Sequence, residues 1–319
     1  MQATPVSSRI DEILVRDDRP CEDVLDDVYR KYHDTNPFMP VTHFVDHSTM
    51  GPEALVGLGI GHTVTRWIAR HRARPYEAPV IGISIPTAWR EAVGRKDCHG
   101  DWLRHFDREL SDRPATAVLA VWVERFAHDV GALLFHGLIR TAHAARALQQ
   151  KDTVARRGEL ARGLALWAIG LRSAPPREIS QHNANVDWTG EIMRCAEAGA
   201  ATFVRKSTIP NLHLVTGPMA YLMIAPQLDA PMHRIAAAAF RQTHAKAFET
   251  FDADRQHALS EANLSLDRNH LEALADKTDA HPAKLTEAAL RAYQATGDGL
   301  FLKAAAKVQD YSLWRAFVG

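Results

Sequence analysis

The chain has 319 residues, 46% of them hydrophobic and 24% charged, which excludes disorder as its main state and leaves room for one large core or two smaller ones. Lys plus Arg and Asp plus Glu number 38 each, so no long-range field draws it onto nucleic acid or anionic lipid. Its three cysteines, Cys21, Cys98 and Cys195, are too few and too far apart for a disulfide framework or a Cys-based zinc site.

Arg9, Asp11, Glu12 and Arg16 interrupt the apolar stretch of the first sixteen residues, so a secretory leader is not expected. No segment approaches the roughly 20 apolar residues of a membrane-spanning helix. The cytosol is the expected compartment.

In chain order, the periodicity predicts helices over 22–33 and about 50–71, with strand signals confined to short runs such as 80–85. Val118, Trp122, Phe126, Val130 and Leu133 share one stripe of 115–149, which reads either as one long helix or as two with a break near Gly131. Leu160, Leu164, Trp167 and Leu171 fall at i, i+4, i+7 and i+11, mostly opposite Arg156, Arg157, Glu159 and Arg162, an amphipathic helix against a core. The stretch 174–185, with Pro175 and Pro176, is the best candidate for a boundary or a lid.

Further helices are predicted over 187–204, 231–251, 254–276 and 282–295, Pro231 and Pro282 sitting where a missing amide costs nothing. Thr216, Gly217 and Pro218 read as an N-cap and first turn of a helix running toward Pro226, which places His213 in the preceding loop. No repeat of solenoid length occurs. The expected fold is therefore all-α: a single large helical domain over 1–319, with a buried central cavity.

There are 17 histidines, roughly double the usual share of a couple of per cent. His43 and His47 form H-x-x-x-H, but Phe44 stands where a zincin needs its glutamate. Gly57, Gly59 and Gly61 lack the preceding strand and the spacing of a dinucleotide fingerprint, and no nucleophile elbow is present.

Five stretches together carry a resemblance. They are Asp46-His47-Ser48-Thr49-Met50 with Glu53-Ala54-Leu55; His136-Gly137-Leu138-Ile139-Arg140-Thr141-Ala142-His143 with Arg146-Ala147-Leu148; Glu159-Leu160-Ala161 with Gly163-Leu164 and Trp167-Ala168; His213-Leu214-Val215-Thr216-Gly217; and His281 with Lys284-Leu285-Thr286-Glu287-Ala288. In content and order, from about Asp46 to near Ala306, they resemble the questin oxidase-like family. The second stretch, similar to H-G-x-I-R-T-x-H-A-x-R-A-L, is the most specific. Asp46 departs from the family pattern, which has Asn there.

The resemblance implies ring-opening oxidation of aromatic polyketides such as anthraquinones, with O2 and a flat aromatic substrate as partners. It also implies a non-heme iron site of histidines and a modified lysine, or alternatively dependence on NADPH. Carried over position by position, His47, His136, His213 and His281 are the expected imidazole ligands and Lys284 the fifth. Imidazole suits several transition metals, and a carboxylated lysine would supply the anionic oxygen donor that the five motifs otherwise lack.

Spacing adds detail. His281 and Lys284 are i and i+3, although Pro282 is expected to hold His281 outside the helix. His136 and His143 lie about 10.5 Å apart along a helix axis, so His143, with Arg140 between them, is expected to serve substrate or orient a ligand. Asp46 either bonds the His47 ring or caps the following helix. Trp167, Trp188 and Tyr221 are candidates to stack on substrate. A non-catalytic helical binding protein is the reading from another class, and a homodimer is left open.

Overall fold

The computed structural model describes residues 22–39, 44–71, 82, 84–174, 186–260, 266–277 and 279–310. His43, Cys21, the stretch 175–185 and residues 80, 81 and 83 of the expected strand run lie outside them. The first half of the chain forms α1 (Glu22–Lys31), α2 (Met50–Gly57), α3 (Val64–Arg70), α4 (Ile85–Ala92), α5 (His99–Asp112), α6 (Ala115–Phe126), α7 (His136–Gln150) and α8 (Val154–Gly170). The second half forms α9 (Trp188–Arg205), α10 (Ile209–Ile224), α11 (Ala230–Thr243), α12 (Ala245–Glu249), α13 (Phe251–Ser260), α14 (Arg268–Ala273), α15 (His281–Thr296) and α16 (Gly299–Lys307). The fold is all-α, and the only β pairing among the described residues is one isolated bridge between Phe38 and Val45.

Local chemistry explains where several helices begin. Thr153 accepts a hydrogen bond from the Arg156 amide, Thr208 from Asn211, Asp187 from Gly190 and Asp298 from Leu300; each satisfies an amide that has no partner inside its helix. At the other end of α15, Gly297 takes φ 71° as a left-handed cap.

The stretch 115–149 is two helices, as one of its two readings had it, with the break over residues 127–135 around Gly131. Other expectations are corrected. The expected helix 50–71 divides after Gly57, and 231–251 divides at His244. Ile85 opens a helix instead of closing a strand, and α4, α5 and α16 carry no counterpart among the expected elements.

The largest correction concerns α10. Pro218 sits inside that helix, not at its start, so His213 is helical and not in a loop. An interior proline leaves the carbonyl four residues back without its amide. Here that carbonyl belongs to Leu214, and His244 Nε2 lies 2.8 Å from it, replacing the lost donor. The helix therefore continues because another helix end supplies the missing hydrogen bond.

Four helices close a ring of contacts: α7 packs on α10, α10 on α15, α15 on α2 and α2 on α7. Three apolar clusters surround it, built respectively around Trp102, Trp122 and Trp167; around Phe203, Val215 and Phe301; and around Leu25, Trp67 and Leu274. Among the described residues no helix is long and apolar enough to cross a membrane.

Candidate metal centre

Three helices of the ring carry the candidate side chains, and the turn before the fourth carries His47. His136 is the first residue of α7, His213 is in the second turn of α10, His281 opens α15 with Lys284 one turn on, and His47 lies just before α2. His281 is thus helical, a correction to the expected non-helical cap, because a proline in the first turn is compatible with a helical residue before it here.

The four imidazoles form a closed cycle. Ring centroids are 4.8 Å apart for His47 and His136, 4.5 Å for His136 and His213, 5.1 Å for His213 and His281, and 4.5 Å for His281 and His47. One ring nitrogen from each of His47, His136 and His281 lies within 4.8 Å of the others. Ligands of an ion bound at about 2.1 Å stand about 3 to 4.2 Å apart depending on the angle between them, so the three nitrogens have to draw inward to share one coordination sphere.

The tautomers are set from outside the cycle. His136 Nδ1 bonds the Leu133 carbonyl, His213 Nδ1 bonds the Ile209 carbonyl at 2.8 Å, and His281 Nδ1 bonds Asp279 Oδ1 at 2.7 Å. These oxygens only accept, so Nδ1 carries the hydrogen and Nε2 presents its lone pair. The Nε2 atoms of His47, His136 and His213 and the Nζ of Lys284 are buried without a hydrogen-bond partner among the described residues. His47 as a residue is only half-buried, yet its Nε2 is shielded from solvent.

Electrostatics point the same way. Burial, and then the charge of Lys284, hold His47 and His136 well below the ordinary histidine range; burial and then the neighbouring His136 do the same for His213. Burial also lowers His281, against the pull of Asp279. The Lys284 amine is pushed down to about 7 by burial, with Asp279 opposing. A core holding five basic nitrogens that resist protonation suits a cation that binds lone pairs.

The rings of His47, His136, His213 and His281 gather in the cycle, a candidate metal-holding group being formed by nitrogens of His47, His136 and His281; the buried Lys284 acts on all four rings through its charge, and Arg140 and His143 lie outside the cycle. Arg140 makes a two-pronged pair with Glu159, at 2.7 and 2.9 Å, and Thr49 Oγ1 donates to the same carboxylate at 2.7 Å. His143 Nδ1 faces Glu53. Arg146 spans Glu53, at 2.7 and 2.6 Å, and Glu287. Arg291 in turn joins Glu287 at 3.0 Å and the Met219 carbonyl at 2.8 Å. This ionic chain ties α2, α7, α15 and α10, the same four helices that bear or flank the imidazoles.

Asp46 accepts from Ser48, 3.3 Å from its amide and 2.7 Å from its hydroxyl, and so folds the turn that precedes α2; the N-cap of that helix is Thr49, with no side-chain cap, so the expected capping by Asp46 is not realised. Trp167 and Tyr221 are core residues, the latter bonded through its hydroxyl to His233 at 3.0 Å. Trp188 lines an open cleft of about 480 Å³ with Glu191, Arg234 and Arg241, none of which belongs to the histidine cycle.

Sequence reasoning missed Asp279, Glu53 and Glu287 as supporting acids. For Asp279 a signal existed, since an acid two residues before a helix-opening histidine can turn back to its ring. For Glu53 none did, because its partners His143 and Arg146 lie some ninety positions away.

No protein-family model matches the chain, and no curated protein matches it.

Proposed function

We propose that this protein holds one transition-metal ion, iron being the leading identity, on His47, His136, His213 and His281 with Lys284, and that it is an oxygenase acting with O2 on a flat polycyclic aromatic molecule such as an anthraquinone. The metal reading is carried by one observation: four imidazoles from four different parts of the chain form a buried cycle, three with Nδ1 fixed by outside acceptors. Facing helices of a bundle commonly build metal sites in this way. The oxygenase and substrate readings rest on the likeness of the five motifs to the questin oxidase-like family.

A bound iron would supply O2 activation. The residues of the chain do the rest: the imidazoles hold the ion, Asp279 and the Leu133 and Ile209 carbonyls hold the imidazoles, and the apolar clusters exclude water. The neutral Lys284 amine can add to CO2, its nitrogen bonding the carbon as an N–H proton leaves, giving a carbamate with an anionic oxygen. That donor suits iron, which in oxygenases ordinarily takes a carboxylate beside its histidines.

Elemental analysis after anaerobic reconstitution with Fe(II), followed by O2 uptake with hydroxylated anthraquinones, tests this reading. About one iron per chain and substrate-dependent uptake without NADPH are expected. Iron below a few tenths per chain would refute the metal assignment, and uptake only with NADPH would favour the NADPH-dependent alternative.

A further inference from the structure

Three consecutive residues before His136 have left-handed backbones: Leu133 at φ 49°, Leu134 at 52° and Phe135 at 64°. For L-residues this region is disfavoured by contact between Cβ and backbone, and it is usually visited singly, most often by glycine or asparagine. A run of two leucines and a phenylalanine persists only where its surroundings impose it. Leu134 is 43% exposed, so its own side chain recovers little of that cost by burial.

The surroundings are specific. A Cβ on Gly170 of α8 would stand 2.6 Å from Leu133 Cδ1, and one on Gly217 of α10 would stand 2.6 Å from Phe135 Cγ. Both side chains therefore seat directly against bare backbone. Phe135 is further stacked on Phe240, with centroids 5.9 Å apart. What the turn delivers is the Leu133 carbonyl, which meets both the His136 amide, at 3.2 Å, and the His136 Nδ1.

Gly217 is one helical turn beyond His213, and Phe135 directly precedes His136. Their contact therefore spaces two of the four imidazoles. We propose that the Leu133–Phe135 turn is a strained seat that aims His136 at the metal, and that Gly217, by admitting the Phe135 ring, is a positioning residue for the His136–His213 pair. The proposal rests on the metal reading above and goes beyond it, because it assigns a role to residues that touch no ligand.

The test uses the apo full-length chain and Co(II) as probe. Wild type is expected to bind Co(II) with visible ligand-field bands; no binding at all would refute the metal reading itself. Gly217→Ala is expected to weaken Co(II) binding at least tenfold and to shift those bands, and adding Phe135→Ala, which removes the Cγ and Cδ1 that the new methyl group would meet, is expected to restore part of the affinity. Gly94→Ala is the control: Gly94 has φ 77° and its Cβ would lie 2.6 Å from the Leu171 carbonyl oxygen, away from the cycle. It should lower stability without changing affinity.

Unchanged affinity in a folded Gly217→Ala, or an equal loss in Gly94→Ala, overturns the positioning role. The strain is read separately, without metal and without depending on Gly217→Ala folding. Leu134→Gly should raise the melting temperature by ~2 °C or more, and no rise overturns the claim that the turn is strained.

Discussion

His244 supplies to the Leu214 carbonyl the hydrogen that Pro218 lacks, at a distance of 2.8 Å. A helix interrupted by proline is thus completed by a histidine at the junction of α11 and α12, at the residue directly after His213.

That coupling can be measured. His244→Leu should cost about 1–3 kcal/mol, the penalty for a buried carbonyl left without a donor. In a Pro218→Ala background the new amide can reach Leu214, so the same change should cost at least ~1 kcal/mol less. Denaturant unfolding of the four proteins gives the coupling, and additive effects would contradict it.

Glu53 is fully buried between Arg146 and His143. Glu53→Gln keeps one acceptor oxygen but removes the charge that Arg146 and His143 share, leaving Glu287 as the guanidinium's carboxylate partner. A loss of about 1.5–3 kcal/mol is expected, the worth of hydrogen bonds to a charged group, read as a lower urea midpoint. Exposed Asp27, paired with Arg30, is the contrast: its alanine variant should change stability by less than about 1 kcal/mol.

Acid should unfold the protein through the same carboxylates. Burial alone would raise Glu53 and Glu287, but Arg146 and His143 together at Glu53, and Arg146, Arg291 and His143 together at Glu287, more than offset it and hold both below the value of 4.5 for a free glutamate. Arg172 holds Asp129 below 3.8 in the same way. Each folded value lies under its unfolded one, so the unfolded chain binds more protons as pH falls. Their stabilisation is complete above about pH 5 and is lost progressively below it. Unfolding free energy measured from pH 6 to 2.5 should fall steeply below pH 4.5, with a shallower slope in Glu287→Gln.

Asp279 orients His281, and carboxylates in this role typically contribute 10–100-fold to metal affinity. Asp279→Asn should weaken Co(II) binding by about tenfold or more, whereas His136→Ala should abolish stoichiometric binding. His143→Gln, outside the cycle, should keep one ion per chain. Calorimetric titration separates the three outcomes.

The histidines and Lys284 were legible in sequence because each sits in a short motif, and the amphipathic stripes of α8 and α15 announce themselves by period. What fixes the site was less legible. The α10 helix reads as beginning at Thr216 because Pro218 is ordinarily a helix opener, and only His244, supplied from elsewhere, permits the longer helix. The left-handed turn at Leu133–Phe135 violates local preference, so residue-by-residue reading cannot find it. The pairing of Glu53 with Arg146, and of Arg146 with Glu287, depends on tertiary closure alone.

The Arg146 bridge between Glu53 and Glu287 joins two helices that are far apart along the chain, and the imidazole cycle does likewise with His47 and His281. Contacts of such long sequence separation form slowly relative to local ones. During synthesis, His47 and His136 are finished long before His281 and Lys284 exist. On the proposed metal reading, loading would have to await synthesis of α15, and a ribosome-bound fragment ending before it would carry only part of the proposed donor set.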